Sequence, residues 1–320
     1  MDTTELAAQW QHERRLISAY RLDEAKKAVM QTYRQVQARY GDNSWESAGC
    51  LMNLGLWHEA QGEYASFETL MRQSVQLFRR HRTDALAEAL KAQFYYARAL
   101  CRQGKWQQAA EQAAEVYSAQ CQYYGDHADH DDIAHTLRLQ GNIKAMQPAT
   151  LGEALPLLEQ AAAMFERLHG MHHAETAYTY TQIAEQYAKQ GYVAEAQSVL
   201  RSTDAVLREQ LGSLHPYVAV AHWRLAECCD MQRQYGEAQA HFAEAERILR
   251  GSVGEAHPLW LDFWLLTAEH CAAQGQIEAA LSAYGKALFV CLKSYDEEHP
   301  ASTYILRQIT YWVQQLHREE

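Results

Sequence analysis

Apolar residues recur three and four positions apart through most of the chain, as from Val220 to Cys228 and at Phe242, Ala245 and Leu249. That is the period of an α-helix with one buried face, not the alternation of a half-buried strand. The helical stretches are broken near Gly191 and Gly275 and again at Pro216, Pro258 and Pro300, so the pattern predicts short turns between paired helices and leaves no segment for a strand or a linker.

The breaks fall on a ruler. His173, His215, His257 and His299 stand 42 residues apart, and Pro216, Pro258 and Pro300 follow three of them. Gly170, Gly212 and Gly254 share the spacing, as do Ala184, Ala226 and Ala268, then Ala196, Ala238 and Ala280, then Gln190, Gln232 and Gln274. The three glycines come just after a helical pattern, where a left-handed turn is expected. The prolines suit the first turn of the next helix, where a missing N–H costs nothing. The alanine columns mark close approach of paired helices.

Weaker copies run upstream: Gly104-Lys-Trp106 and Gly62-Glu-Tyr64 match Gly191-Tyr-Val193, Gln147–Glu153 is a longer version of the turn, and Tyr20-Arg-Leu22 is a degenerate first copy. The expectation is one domain over 1–320, built of about seven helix pairs at 1–41, 42–82, 83–127, 128–170, 171–212, 213–254 and 255–296, with a closing helix at 299–318. In that helix Ile305, Ile309, Trp312, Val313 and Leu316 form the stripe to be buried.

The frame H-P-x-x-A-x(6)-[AL]-x(6)-G-x-Y/W-x-E-A, closed by L-G-x-x-H-P, resembles the 42-residue tetratricopeptide repeat of the kinesin light chain type. The resemblance implies an all-α, right-handed α-solenoid whose first helices line a concave groove that binds a segment of another protein. The cargo specificity of that family is not carried over, because its Asn-rich strip is replaced by Thr181/Gln182, Trp223/Arg224 and Leu265/Leu266.

Counting from the alanine columns, the groove-facing set is read as Gly49, Met52 and Leu56; Lys91, Phe94, Arg98 and Arg102; His135, Arg138 and Asn142; Tyr178, Thr181, Glu185 and Lys189; Val220, Trp223, Glu227 and Asp230; Asp262, Leu265 and Glu269; and Tyr304, Arg307 and Tyr311. Glu185, Glu227 and Glu269 make a carboxylate ladder, while the third and fourth pairs offer Lys91, Arg98, Arg102 and Arg138. Such a groove orients an oppositely polarised peptide, with Phe94, Tyr178, Trp223 and Tyr304 as aromatic anchors.

Composition narrows the function further. Twenty-nine Lys and Arg against 40 Asp and Glu give a net charge of −11, which argues against a nucleic-acid binder. The opening MDTTELAAQWQHERR lacks a leader's basic and apolar regions, and the most apolar run, Leu259–Ala268, is too short for a membrane span. Seven cysteines without a CxxC pair read as buried reduced thiols, so a cytoplasmic protein is expected. His127, Asp129, His130, Asp131, Asp132 and His135 carry a metal-like spacing, but they fall in an inter-repeat turn, where Asp and His suit a helix N-cap. Motifs for phosphate cradling and nucleophilic catalysis are missing, so no cofactor, no metal and no enzymatic activity are expected. The expected function is an adaptor or scaffold, the alternative a ligand- or peptide-responsive sensor using the same groove. Leu306, Tyr304 and Tyr311 stay off the buried stripe, available for a homodimer contact.

Overall fold

The computed structural model describes residues 3–81, 85–295 and 299–319, so the pair boundaries expected near 82 and 296 lie outside the described residues. Within them the chain is all-α, with fifteen α-helices in consecutive pairs. The pairs are α1 (Thr3–Ser18) with α2 (Leu22–Tyr40), α3 (Trp45–Ala60) with α4 (Tyr64–His81), and α5 (Leu86–Arg102) with α6 (Trp106–Tyr124). Then come α7 (Asp131–Ala145) with α8 (Ala154–His169), α9 (Ala174–Lys189) with α10 (Val193–Leu211), α11 (Pro216–Met231) with α12 (Tyr235–Ser252), and α13 (Leu259–Ala273) with α14 (Ile277–Ser294). The closing helix is α15 (Pro300–Glu319). The long turn before α8 contains a 3-10 segment, Pro148–Glu153. Seven pairs and a cap make the helical-repeat solenoid that the sequence led us to expect.

The helices gather into two compact units, Met1–Leu157 and Leu158–Glu320. In the second unit the two alanine columns are fully buried, each residue 0% exposed. They carry the closest helix approaches because no longer side chain holds the backbones apart. In the first unit Phe67 takes one of these places, also 0% exposed, beneath Met71 and Ala48 in the core. Besides pairing with its second helix, each first helix packs on the next first helix: α1 on α3, α3 on α5 and α5 on α7 in the first unit, α9 on α11 and α11 on α13 in the second. First helices therefore crowd one side of each unit, and their solvent-facing surface is that unit's inner face.

The recurring histidines have a definite job. Nδ1 of His130, His173, His215, His257 and His299 accepts the backbone N–H two residues on, at 3.1–3.3 Å, so each imidazole caps the start of the following helix. Ser44 does the same for α3 through the N–H of Ser47, at 3.1 Å. Gly170 and Gly212 adopt the left-handed φ expected of them, +83° and +89°. Gly254 does not, because α12 ends one residue earlier, at Ser252, and Val253 is already extended. Within pairs, the left-handed turn of Gly191 and Gly275 is kept at Arg233 (φ +60°) and Tyr20 (φ +54°), although neither is glycine.

On α15, Ile305 is buried, and Ile309 and Trp312 pack on the core of the last pair. Val313 departs from the expected stripe and is exposed, since it lies one residue, or about 100°, beyond Trp312 on the helix.

Candidate functional site

Each unit presents a polar inner face, and the two faces are wired differently. On the second, Arg224 of α11 reaches Glu185 of α9 (Nη2 to Oε2, 2.8 Å) and Glu227 on its own helix (Nη1 to Oε2, 2.9 Å). Lys189 also donates to Glu185, at 2.7 Å. Burial alone pushes the Glu185 carboxyl up, but Arg224 and Lys189 outweigh it and hold its pKa below the ordinary range. Burial likewise opposes the charge of Arg224, yet Glu185, Glu227 and Asp262 keep its guanidinium more firmly protonated than usual. Glu269 accepts the Tyr304 hydroxyl at 2.9 Å, tying α13 to α15. Asp230 meets Nδ1 of the buried His270 at 2.6 Å. Two cations, Arg224 and Lys189, thus face four carboxylates, Glu185, Glu227, Asp262 and Glu269. Beside them Tyr178 of α9 stacks on Tyr217 of α11, centroids 3.7 Å apart and planes within 9°.

On the first unit's inner face, Arg14 of α1 donates through Nε to Asn53 of α3 (2.8 Å) and through Nη2 to Glu88 of α5 (2.6 Å). Asn53 in turn donates to Glu13, at 2.6 Å. Glu88, pushed up by burial and pulled down more strongly by Arg14, also meets Lys91 at 3.4 Å. Glu59 of α3 takes Arg98 and, at 3.4 Å, Arg102, both from α5. The Arg98 guanidinium lies over the Tyr95 and Phe94 rings, 4.8 and 5.6 Å from their centroids. Four cations here face three carboxylates, and nearly all are engaged with one another.

The expected anchors are distributed differently from the sequence reading. Trp223 and Thr181 are each 1% exposed, Met52 0%, Phe94 8% and Arg138 9%, so this column is core and not groove surface. Gly49 and Leu56 are buried as well, with the Trp10 ring where a Gly49 side chain would be. The physical reason is the register: Trp223 is three residues before Ala226, and residues three apart share a helix face. The half-exposed column is one residue on, at Tyr95, Gln182, Arg224 and Leu266. Lys91, Arg98, Arg102, Tyr178, Glu185, Glu227, Asp230, Asp262, Glu269 and Tyr304 keep solvent-facing or half-buried positions on first helices or α15. The ladder of Glu185 and Glu227 is no simple exposed stripe, since Arg224 is inserted between them. Arg14, Asn53, Glu59, Glu88 and Tyr217 were not singled out by spacing, because they lie off the 42-residue columns or in the weakest repeats.

The histidine-rich turn before α7 is occupied structurally: His130 caps α7 and stacks on Tyr124 (3.6 Å), whose hydroxyl donates to Asp132 at 2.6 Å. The seven cysteines are free, and burial pushes the Cys50 and Cys228 thiols up to about 12, far from reactive thiolates. Among the described residues no helix is long and apolar enough to cross a membrane.

A tetratricopeptide-repeat family model matches residues 175–251, and a second matches residues 47–81. No curated protein matches the chain. Among solved structures, NprR in complex with its cognate peptide NprX superposes with a TM-score of 0.67 at 9% identity, covering 98% of this chain and 89% of that one. A Rap protein complexed with competence and sporulation factor gives 0.62 at 10% identity, covering 99% of this chain and 100% of that one. A putative kinesin light chain from Podosopora anserina gives 0.47 at 23% identity, covering 62% of this chain and 92% of that one. The chain thus carries tetratricopeptide repeats in both units, at 47–81 and at 175–251.

Proposed function

We propose that the protein is a non-catalytic, cytoplasmic binding module that holds a cationic segment of another protein on the inner face of α9, α11 and α13. The observation that carries this is the carboxylate surplus around Arg224. Glu227, Asp262 and Glu269 offer more negative charge than Arg224 and Lys189 neutralise. The Arg224 pair with Glu227, anchored across helices by Glu185, and the Tyr304 hydroxyl on Glu269 hold two of these carboxylates before any ligand arrives, which lowers the ordering cost of binding. The Tyr178–Tyr217 stack supplies a flat, half-buried surface for a Lys or Arg stem. The first unit's inner face, with its small positive excess at Lys91, Arg98 and Arg102, by itself suits an acidic peptide.

A random peptide library displayed on phage tests this reading. Peptides enriched on the wild type are expected to carry Lys or Arg and to be lost by Glu227→Lys/Asp262→Lys. The control Glu195→Lys/Glu278→Lys changes the net charge equally on second helices and should retain them. Enrichment indifferent to the inner-face pair would overturn it.

A second reading, a regulator that responds to a peptide, is favoured by the likeness to NprR with NprX and to Rap with competence and sporulation factor. In that case the selected peptide should reduce the radius of gyration measured by X-ray scattering; an adaptor's radius should stay constant. The exposed Leu306 and Tyr311 of α15 also suit a second copy of the chain, a contact that Leu306→Glu should abolish in sedimentation.

A further inference from the structure

We infer that the second unit carries another partner site, on the side of α13 away from its inner face, for a protein segment in which a bulky apolar side chain neighbours a carboxylate. A cavity of about 410 Å³ opens there between the end of α12 and the middle of α14. Trp260 and Trp264 of α13 line it, stacked 5.5 Å apart with planes within 15°. Each is two residues from Asp262, hence about 200° around the helix from the inner face. The remaining wall comes from Ser282, Gly285, Lys286, Phe289 and Val290 of α14, together with Arg250 and Glu255.

Gly285 is the informative residue. It sits within α14, where glycine weakens a helix, yet nothing lies within 4 Å of the position its Cβ would take. No neighbour requires the missing side chain; its effect is to leave the cavity open. Phe289 alongside is 51% exposed, and Leu292, one turn on, 56%. An apolar group placed over Gly285 covers the Phe289 ring and removes both from water.

The charges select what accompanies that group. Lys286 Nζ stands 4.1 Å from the Trp264 ring centroid and has no carboxylate partner among the described residues. Arg250 lies over Trp260 at 5.8 Å and is satisfied by Glu246 at 2.6 Å, so Lys286 is the available cation. Glu255 in the wall favours an anion seated at the Lys286 end. Arg250 with Glu246, and Lys286 against Glu255, leave the site near neutral, so within a chain of net charge −11 Lys286 offers one local point of attraction for a single carboxylate. Several walls of the cavity are exposed, so it buries one side chain of a larger partner and would leave a small molecule mostly wet.

The same phage library sorts this site from the inner face. The expected result is an enriched class with an aromatic or aliphatic residue next to Asp or Glu. Its affinity should fall about tenfold or more on Gly285→Leu and on Lys286→Glu, and hold on Glu227→Lys/Asp262→Lys. Gly285→Leu should melt no lower than the wild type, since leucine favours the helix; if it does melt lower, Lys286→Glu and Phe289→Ala carry the test. Absence of that class, or affinity unchanged by these substitutions, overturns the assignment.

Discussion

On α1, α3 and α5, Arg14, Lys91, Arg98 and Arg102 face Glu13, Glu59 and Glu88; on α9, α11 and α13, Arg224 and Lys189 face Glu185, Glu227, Asp262 and Glu269. The backbone plan beneath the two faces is the same, with buried residues holding first helix against second and first helix against first. What differs is the half-exposed column above that core. The repeat therefore fixes where a side chain stands and leaves its charge free, and the second unit uses that freedom to accumulate carboxylates around one guanidinium.

The sharpest division within each face is between core and surface columns. Trp223→Ala should destabilise the second unit by about 3–5 kcal/mol, a loss visible in urea unfolding whether or not a ligand is present. Phe94→Ala should behave similarly in the first unit, while Tyr304→Ala, on the exposed side of α15, should cost under about 1 kcal/mol. Equal effects at Trp223 and Tyr304 would break the distinction.

The next effect concerns the ion pairs. Arg224→Met leaves Glu185 and Glu227 without their shared partner and should cost about 2–3 kcal/mol at pH 7. The wild-type Glu185 pKa is held down in the folded state, so its contribution is present above the ordinary carboxylate range and is lost as pH falls through and below it. The gap between Arg224→Met and wild type should therefore narrow on acidification from pH 7 to 4. In the first unit, Glu88 with Arg14 follows the same sign. A gap that widens in acid contradicts the assignment.

Smaller effects test the turns. His215→Ala removes an N-cap and should cost about 1 kcal/mol in thermal melts, largely restored by His215→Asn. Arg233→Gly, at a left-handed turn that Gly191 and Gly275 occupy in neighbouring repeats, should stabilise by about 1 kcal/mol or less. An Arg233→Gly protein that melts lower would show that this side chain does more than tolerate the turn.

Much of the architecture was legible because it is written in residues that tolerate few substitutes. The alanine columns must be small to let helices touch, and the His-Pro pairs mark helix starts. The inner face was less legible, since neighbours on a helix differ by about 100° and a one-residue offset exchanges Trp223 for Arg224. Arg224 sits on the repeat spacing, but only its partners across helices reveal that it divides the glutamate ladder. Arg14 belongs to the degenerate first copy, and Asn53, though in a recognisable repeat, lies off the columns that share the 42-residue spacing. The turn at Arg233 lies on the same 42-residue spacing as Gly191 and Gly275, but the absence of glycine there hides its left-handed conformation.

The central claim is that the acidic inner face of α9, α11 and α13 is the capture surface. Its most direct test is the dissociation constant of a selected cationic peptide for wild type, Glu227→Lys/Asp262→Lys and Lys91→Glu, at low and high salt. The account predicts a loss of about tenfold or more for the second-unit pair with a shallower salt dependence, and little change for Lys91→Glu. Affinity untouched by the pair, or lost only with Lys91→Glu, would contradict it.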